Sequence, residues 1–238
     1  MKSSPEQRAT RSPRKPKGSG RERRGEILAI AKEMFVRDGY RTVTTRALAE
    51  AVGLSQTGLY VYFKSKEEIL RAICDDTHDA MRAAFDRAAA NGANPEDCLR
   101  RLMRAYIEFG LAHPAEYQLT FTVRPEAIRP VEKDFSQPAD HQEAGARSFL
   151  RFRDHLAVLA SHGALGGYDP MLITQMLWFV GHGAVSLLIS RPHFPWLDRK
   201  MLIDTLERVL LTGLTASNAS AVEPGPGPRP NLLTASST

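Results

Sequence analysis

Between Gly25 and about Thr215 the apolar residues recur at three- and four-residue intervals, and no stretch alternates apolar with polar. A half-buried strand needs that alternation, so the pattern restricts the chain to an all-α fold. Gly and Pro punctuate it. Ile27, Ala31 and Phe35 share one helix face, reinforced by Ile30 and Met34, with Gly39 as the stop. Thr44 can cap a short helix that Gly53 ends, and Ser55 can cap another running to about Tyr62. Ser65 and Glu68 form a capping-box signature opening a longer helix to about Asn91 and Gly92. Pro95 starts a helix toward His113, and Pro114 sits in the first turn of the next. Pro125, Pro130 and Pro138 mark a loop near 122–137. Helices at about 139–162, 170–190 and 197–215 follow, and a Pro/Gly-rich tail runs from Ser217.

The formal charge of +5 is unevenly spread over the 238 residues. Residues 1–24 hold nine basic and two acidic side chains, a net of +7, so the remainder carries −2. An arm of this composition, rich in Ser, Pro and Gly, has too little apolar surface to fold. Two readings fit it: a solvated leader, or an arm held near a polyanion by counterion release. The basic N-terminus lacks the apolar run of a secretory signal. Met171 to Ile189 is nearly long enough to span a bilayer, but Thr174, Gln175, His182 and Ser186 interrupt it, which favours a buried bundle helix. Two cysteines, Cys74 and Cys98, give no disulfide framework and suit a reducing, cytoplasmic setting. No membrane partner is expected. The resulting division is an arm at 1–24, a small helical domain at 25–70, a larger one at 71–216, and a tail at 217–238.

Residues 45–63 have the spacing of a helix-turn-helix. Ala49 is small where two helices cross, Gly53 makes the sharp turn, and Leu48, Val52, Leu54, Leu59 and Phe63 supply the apolar contacts. The second helix projects Gln56, Thr57, Tyr60 and Tyr62, groups suited to base edges and phosphates. An αα corner inside a helical protein has similar spacing. Residues 25–70 are charge-balanced, with six basic and six acidic side chains, so bulk charge does not distinguish the two. Arg41, Arg46, Lys64 and Lys66 flank the two short helices, where a DNA backbone would run.

Over 26–70 the sequence resembles the DNA-binding domain of the TetR family of transcriptional regulators. The matching residues are Phe35 with Gly39 and Tyr40, Thr44 to Ala49, Gly53 to Ser55, Leu59 to Phe63, and Ser65 to Glu67. The resemblance implies a three-helix reading head on double-stranded operator DNA. Positions matching Tyr60 and Lys66 commonly contact phosphates in that family. Those matching Arg46, Gln56, Thr57 and Tyr62 commonly face the operator, and Thr44, Thr45 and Gly58 complete the expected interface. The chain departs from many members at Thr57 and Gly58, where the small residue is shifted by one. Gly58 costs about 1 kcal/mol of helix stability relative to Ala, and it permits close backbone approach.

A second resemblance covers His113 to Phe121 and Trp178 to Gly183, which look like a TetR-family C-terminal domain named for a Trp-His-Gly motif. It implies helical ligand binding and dimerisation over 71–216. Tyr106, Phe109, His113, Tyr117 and Phe121 recur at helical spacing, and Phe149, Phe152, Trp178 and His182 can face them. Such a stripe is either plain core or the wall of a pocket for a small apolar or amphipathic effector. The helix at 170–190, with Gly181, Gly183, Ala184 and Ser186, and the last helix, with Leu202, Leu206, Val209, Leu210 and Gly213, suit a four-helix homodimer interface or a monomer core. The seven histidines include His155 and His162 near Asp154, yet no HExxH, compact Cys/His cluster or Gly-x-Ser-x-Gly elbow occurs. Neither catalytic residues, nor a metal, nor a cofactor is therefore expected. The competing classes are a helical enzyme or metal protein using the aromatic and histidine-rich region, and an effector-independent DNA-binding protein.

Overall fold

A computed structural model describes residues 20–123 and 143–215. Among these every regular element is helical. The described chain falls into two compact units, divided between Ile73 and Cys74. That is three residues beyond the boundary expected from sequence. Residues 1–19, the Pro-containing segment 124–142 and the tail from 216 lie outside the described residues.

The first unit begins with α1 (Gly20–Met34), whose last turn widens into a π-helical segment at Phe35–Gly39. The helix starts five residues earlier than expected, so the C-terminal end of the basic arm belongs to the fold. Arg23 Nη2 donates to the Val52 carbonyl at 2.7 Å, and the Arg24 guanidinium lies 4.6 Å over the Phe63 ring. Both contacts attach α1 to the helix-turn-helix. Next come α2 (Thr45–Ala51) and α3 (Gln56–Tyr60), with Ile27, Ala31, Phe35, Leu48, Leu59 and Phe63 closing the core. Two positive-φ glycines, Gly39 and Gly53, make the turns that L-residues resist.

α4 (Lys66–Ala90) opens at the expected Ser65 cap, where the Glu68 amide donates to Ser65 Oγ at 3.2 Å. The Glu68 carboxylate reaches past the cap to the Lys64 amide, at 2.6 Å. Residues of α4 before and after position 73 belong to different cores: Ile69 and Leu70 to the first, Met81 and Phe85 to the second.

The second unit is a bundle around α5 (Pro95–Ala112), which packs against α6 (Pro114–Phe121), α7 (Ala144–Ser161), α8 (Pro170–Ser190) and α9 (Arg199–Thr215). Asn94 and Asp169 cap α5 and α8 at their N-termini, each followed by Pro at the first helical position. A second attachment between α5 and α9 is ionic. Arg104 reaches the carboxylate of Glu207 through two hydrogen bonds, at 2.8 and 2.5 Å, and Asp204 at 2.5 Å. Glu207 is buried, and these hydrogen bonds raise the guanidinium pKa further. By length and composition α8 is apolar enough to cross a bilayer. Here it packs as a bundle helix, with Ile173, Leu177, Gly181 and Val185 turned inward.

Candidate functional site

In the first unit the cap geometry places the polar side chains. Thr44 Oγ1 accepts from the Ala47 amide at 3.1 Å, and Ser55 Oγ accepts from the Gly58 amide at 3.0 Å. The Leu54 amide returns to the Ala49 carbonyl at 2.8 Å, across the Gly53 turn. With Leu48, Ala49 and Leu59 buried, the opposite faces of α2 and α3 point outward together. Arg46, Gln56, Thr57 and Tyr60 are exposed there, and Thr45 and Tyr62 are half-buried. Gln56 Nε2 donates to Thr45 Oγ1 at 3.4 Å, and Thr45 Oγ1 sits 3.5 Å from Tyr60 Oη. Hydrogen bonding by Thr45, with Gln56 adding to it, holds the Tyr60 hydroxyl below the ordinary phenol pKa. Bonds at 3.4–3.5 Å are weak, and exposed groups exchange them readily for new partners.

Two expected interface residues have structural duties. Gly58 lies in the Ser55 cap: a Cβ there would meet Ser55 Oγ at 3.3 Å. Lys66 Nζ donates to the carbonyls of Tyr40 and Val43, both at 2.8 Å, and to that of Arg41 at 3.4 Å. It also lies 4.5 Å over the Tyr40 ring, while Tyr40 Oη donates to Glu67 at 3.1 Å. Its three N–H groups therefore close the end of the π segment and its following turn, where carbonyls lack helical partners. Any phosphate must compete with those carbonyls. Sequence spacing alone gave no sign of this duty.

The second unit contains a cavity of about 990 Å³, at the upper end of the range for small-molecule sites. Of the nine aromatic and histidine residues expected at a pocket, Tyr106, Phe121, Phe149, Phe152, Trp178 and His182 line it. Tyr117 stands behind the wall, and Phe109 and His113 pair with each other at 4.7 Å, away from the lining. Met81 and Phe85 of α4, Met103 and Ile107 of α5, and Leu206 and Leu210 of α9 add apolar wall.

One side of the cavity is polar. Tyr106 Oη lies 3.0 Å from Tyr117 Oη, which lies 2.6 Å from His182 Nδ1; His182 Nε2 is 3.4 Å from Ser186 Oγ. Burial raises the Tyr106 hydroxyl far above its ordinary value and pushes Tyr117 up to about 12. Burial also lowers the His182 pKa, so the imidazole is held neutral. Two glycines make room for these rings. A Cβ on Gly181 would meet Tyr106 Cδ1 at 2.9 Å, and one on Gly110 would meet Val185 Cγ1 at 2.6 Å and Tyr117 Cδ2 at 3.0 Å. Trp178, Gly181 and His182 thus have distinct tasks: wall, clearance and polar terminus. Gly110 and Ser186 are part of the same arrangement. A glycine inside an amphipathic helix was the available signal for the first.

Among the described residues no group of three or more His, Cys, Asp or Glu side chains is arranged to hold a metal. His155 bonds Asp86 at 2.8 Å, alongside Arg151, and joins α7 to α4.

Two family models match the chain. Residues 27–73 match the model described as "Bacterial regulatory proteins, tetR family", and 99–212 match "Tetracyclin repressor-like, C-terminal domain". The HTH-type transcriptional repressor KstR2 of Mycobacterium tuberculosis is 33% identical over 99 residues, 42% of this chain and 50% of that protein. The match thus spans about half the length of that curated relative. Among solved structures, a protein of unknown function from Rhodococcus sp. RHA1 superposes with a TM-score of 0.67 at 21% identity, covering 81% of this chain and 95% of that one. The ketosteroid transcriptional regulator KstR2 of M. tuberculosis gives 0.55 at 24% identity, with coverages of 81% and 95%. At these identities the structural likeness speaks for the fold.

Proposed function

The chain belongs to the TetR family of bacterial regulators, and on that premise we propose that it is a ligand-responsive repressor that binds a palindromic DNA operator as a homodimer in the cytoplasm. Family membership sets the enzymatic reading aside. The observation that carries the proposal is the outward row of Thr45, Gln56 and Tyr60, with Arg46 and Thr57 beside it, on a buried and doubly capped corner. These groups contribute little to the fold and match the donors and acceptors of a major-groove edge. The part of the basic arm that precedes α1 adds sequence-independent affinity.

Support for a homodimer comes from α8 and α9. Leu172, Met176 and Phe179, which also border the cavity, form with Leu187 an exposed apolar stripe on α8, and Met201 and Val209 are exposed on α9. A second copy of the same two helices would cover them, and the resulting two-fold symmetry matches two half-sites about 34 Å apart. A guest in the cavity acts on α4 through Met81 and Phe85, and so alters the separation of the two recognition helices.

The test uses the full chain and duplexes selected from a random pool. Sedimentation should show two copies on each selected duplex, and a scrambled duplex of equal length should bind at least 100-fold more weakly. Phe179→Glu should yield monomers with much reduced affinity. Equal affinity for selected and scrambled duplexes contradicts the proposal.

A further inference from the structure

We propose that the cavity selects an uncharged, largely apolar ligand bearing one hydrogen-bond-accepting oxygen, such as a ketone, ester or amide, and that His182 is the residue that recognises this oxygen. The inference rests on the reading of the cavity as an effector site.

Among the described residues, none that lines the cavity is Asp, Glu, Lys or Arg. Arg104 is on the same helix as Tyr106, but its guanidinium is engaged by Glu207 and Asp204. A carboxylate or ammonium entering this cavity would lose its water and meet no countercharge among the described residues.

The hydrogen bonds have a direction. An order running from Tyr106 through Tyr117 to His182 Nδ1 gives each hydroxyl proton an acceptor, whereas the reverse order leaves the Tyr106 proton without one among the described residues. Tyr117 is therefore the donor and Nδ1 the acceptor. That commits the one Tyr117 proton, so Tyr106 must donate to Tyr117 across their 3.0 Å contact. A neutral imidazole accepting at Nδ1 carries its single proton on Nε2. Its partner there, Ser186 Oγ, is 3.4 Å away. A ligand oxygen at an ordinary distance of about 2.9 Å would bind this proton better. The relay thus presents a donor of fixed identity to a cavity that His182 lines. His78, Thr120, Ser148 and Gln175 are the other polar side chains on the wall.

Backbone clearance is built for the relay. Gly181 and Gly110 each admit a relay ring where a methyl group would collide with it. Plain core packing does not require two hydroxyls and an imidazole in sequence here, since buried polar groups are costly unless paired.

The experiment is a binding series with four eleven-carbon probes: 2-undecanone, 1-undecene, undecanoate and undecylammonium. Binding is read from Trp178 emission in a Trp196→Phe background at pH 7.5. The ketone should bind about five- to tenfold more tightly than the alkene, the worth of one hydrogen bond. Both ions should bind roughly a hundredfold more weakly than the ketone, following the cost of an uncompensated charge. His182→Phe keeps an aromatic ring and removes the donor: ketone and alkene affinities should converge, with the circular dichroism spectrum as the control for folding. His182→Gln, which keeps an N–H, should restore part of the preference.

A ketone preference that survives in His182→Phe overturns the proposal, as does undecanoate binding on a par with the ketone. Alkene and ketone bound equally by the wild-type chain also overturn it, yet leave the cavity as an effector site. Absence of binding by all four probes overturns both readings. The predicted ranking without any change in operator affinity supports the recognition and removes the switch.

Discussion

In the first unit the polar side chains of interest point out and are loosely held; in the second they point in and are tightly held. Thr45, Gln56 and Tyr60 touch each other at 3.4–3.5 Å on an exposed face. Tyr106, Tyr117 and His182 are joined at 3.0 and 2.6 Å beside an apolar cavity. Weak exposed bonds can be exchanged for DNA at little cost. A buried relay keeps its geometry, because each member left unpaired costs about 1–3 kcal/mol. The contrast separates two tasks: a surface that adapts to a large polar partner, and a cavity that tests one feature of a small one.

The largest expected break in this division comes from the core of the reading head. Leu48 is fully buried, and Leu48→Ala should destabilise the first unit by about 2–5 kcal/mol. Operator binding should disappear while probe binding in the second unit persists. Loss of both would show that the units do not fold separately.

A smaller effect is expected from Gly181→Ala, which places a methyl group 2.9 Å from Tyr106 Cδ1. Overpacking of this type costs about 1–3 kcal/mol. It should displace Tyr106 and abolish the ketone preference, with operator affinity retained. A crystal structure of the variant with an unmoved Tyr106 ring would refute the clearance argument.

The smallest effect is in pH dependence. Burial lowers the His182 pKa in the fold, while the unfolded imidazole titrates near its usual value of about 6.5. The unfolded chain therefore takes up the proton first as pH falls. The stability His182 contributes is complete above about pH 6.5 and is lost as pH falls through that value toward the folded-state pKa. The melting temperature should decline from pH 7 to 5, and His182→Gln should flatten that slope. Identical slopes would show that His182 is not held neutral.

Much of the first unit was legible in the sequence because its determinants are local. The Thr44, Ser55 and Ser65 caps and the Gly53 turn all act within five residues, and each lies where the spacing predicts. Lys66 escaped, because its carbonyl partners lie 23–26 residues earlier in the chain. The early start of α1 escaped for a similar reason: Arg23 is held by Val52, 29 residues away. In the second unit the aromatic stripe was legible as a set, but its division into wall and interior was not. Phe109 and His113 share the helical spacing of Tyr106, yet only tertiary packing decides which rings border a void. The Arg104–Glu207 pair spans 103 residues and has no local signature. Periodicity locates faces; it does not say which faces meet.

The central claim is that the first unit alone reads DNA sequence. Sequencing the duplexes that wild-type, Gln56→Ala and His182→Phe chains retain from a random pool tests it directly. The wild type should enrich a two-fold symmetric site. Gln56→Ala should relax preference at matching base pairs in both halves, and His182→Phe should return the wild-type motif. A motif unchanged by Gln56→Ala but altered by His182→Phe would contradict the account.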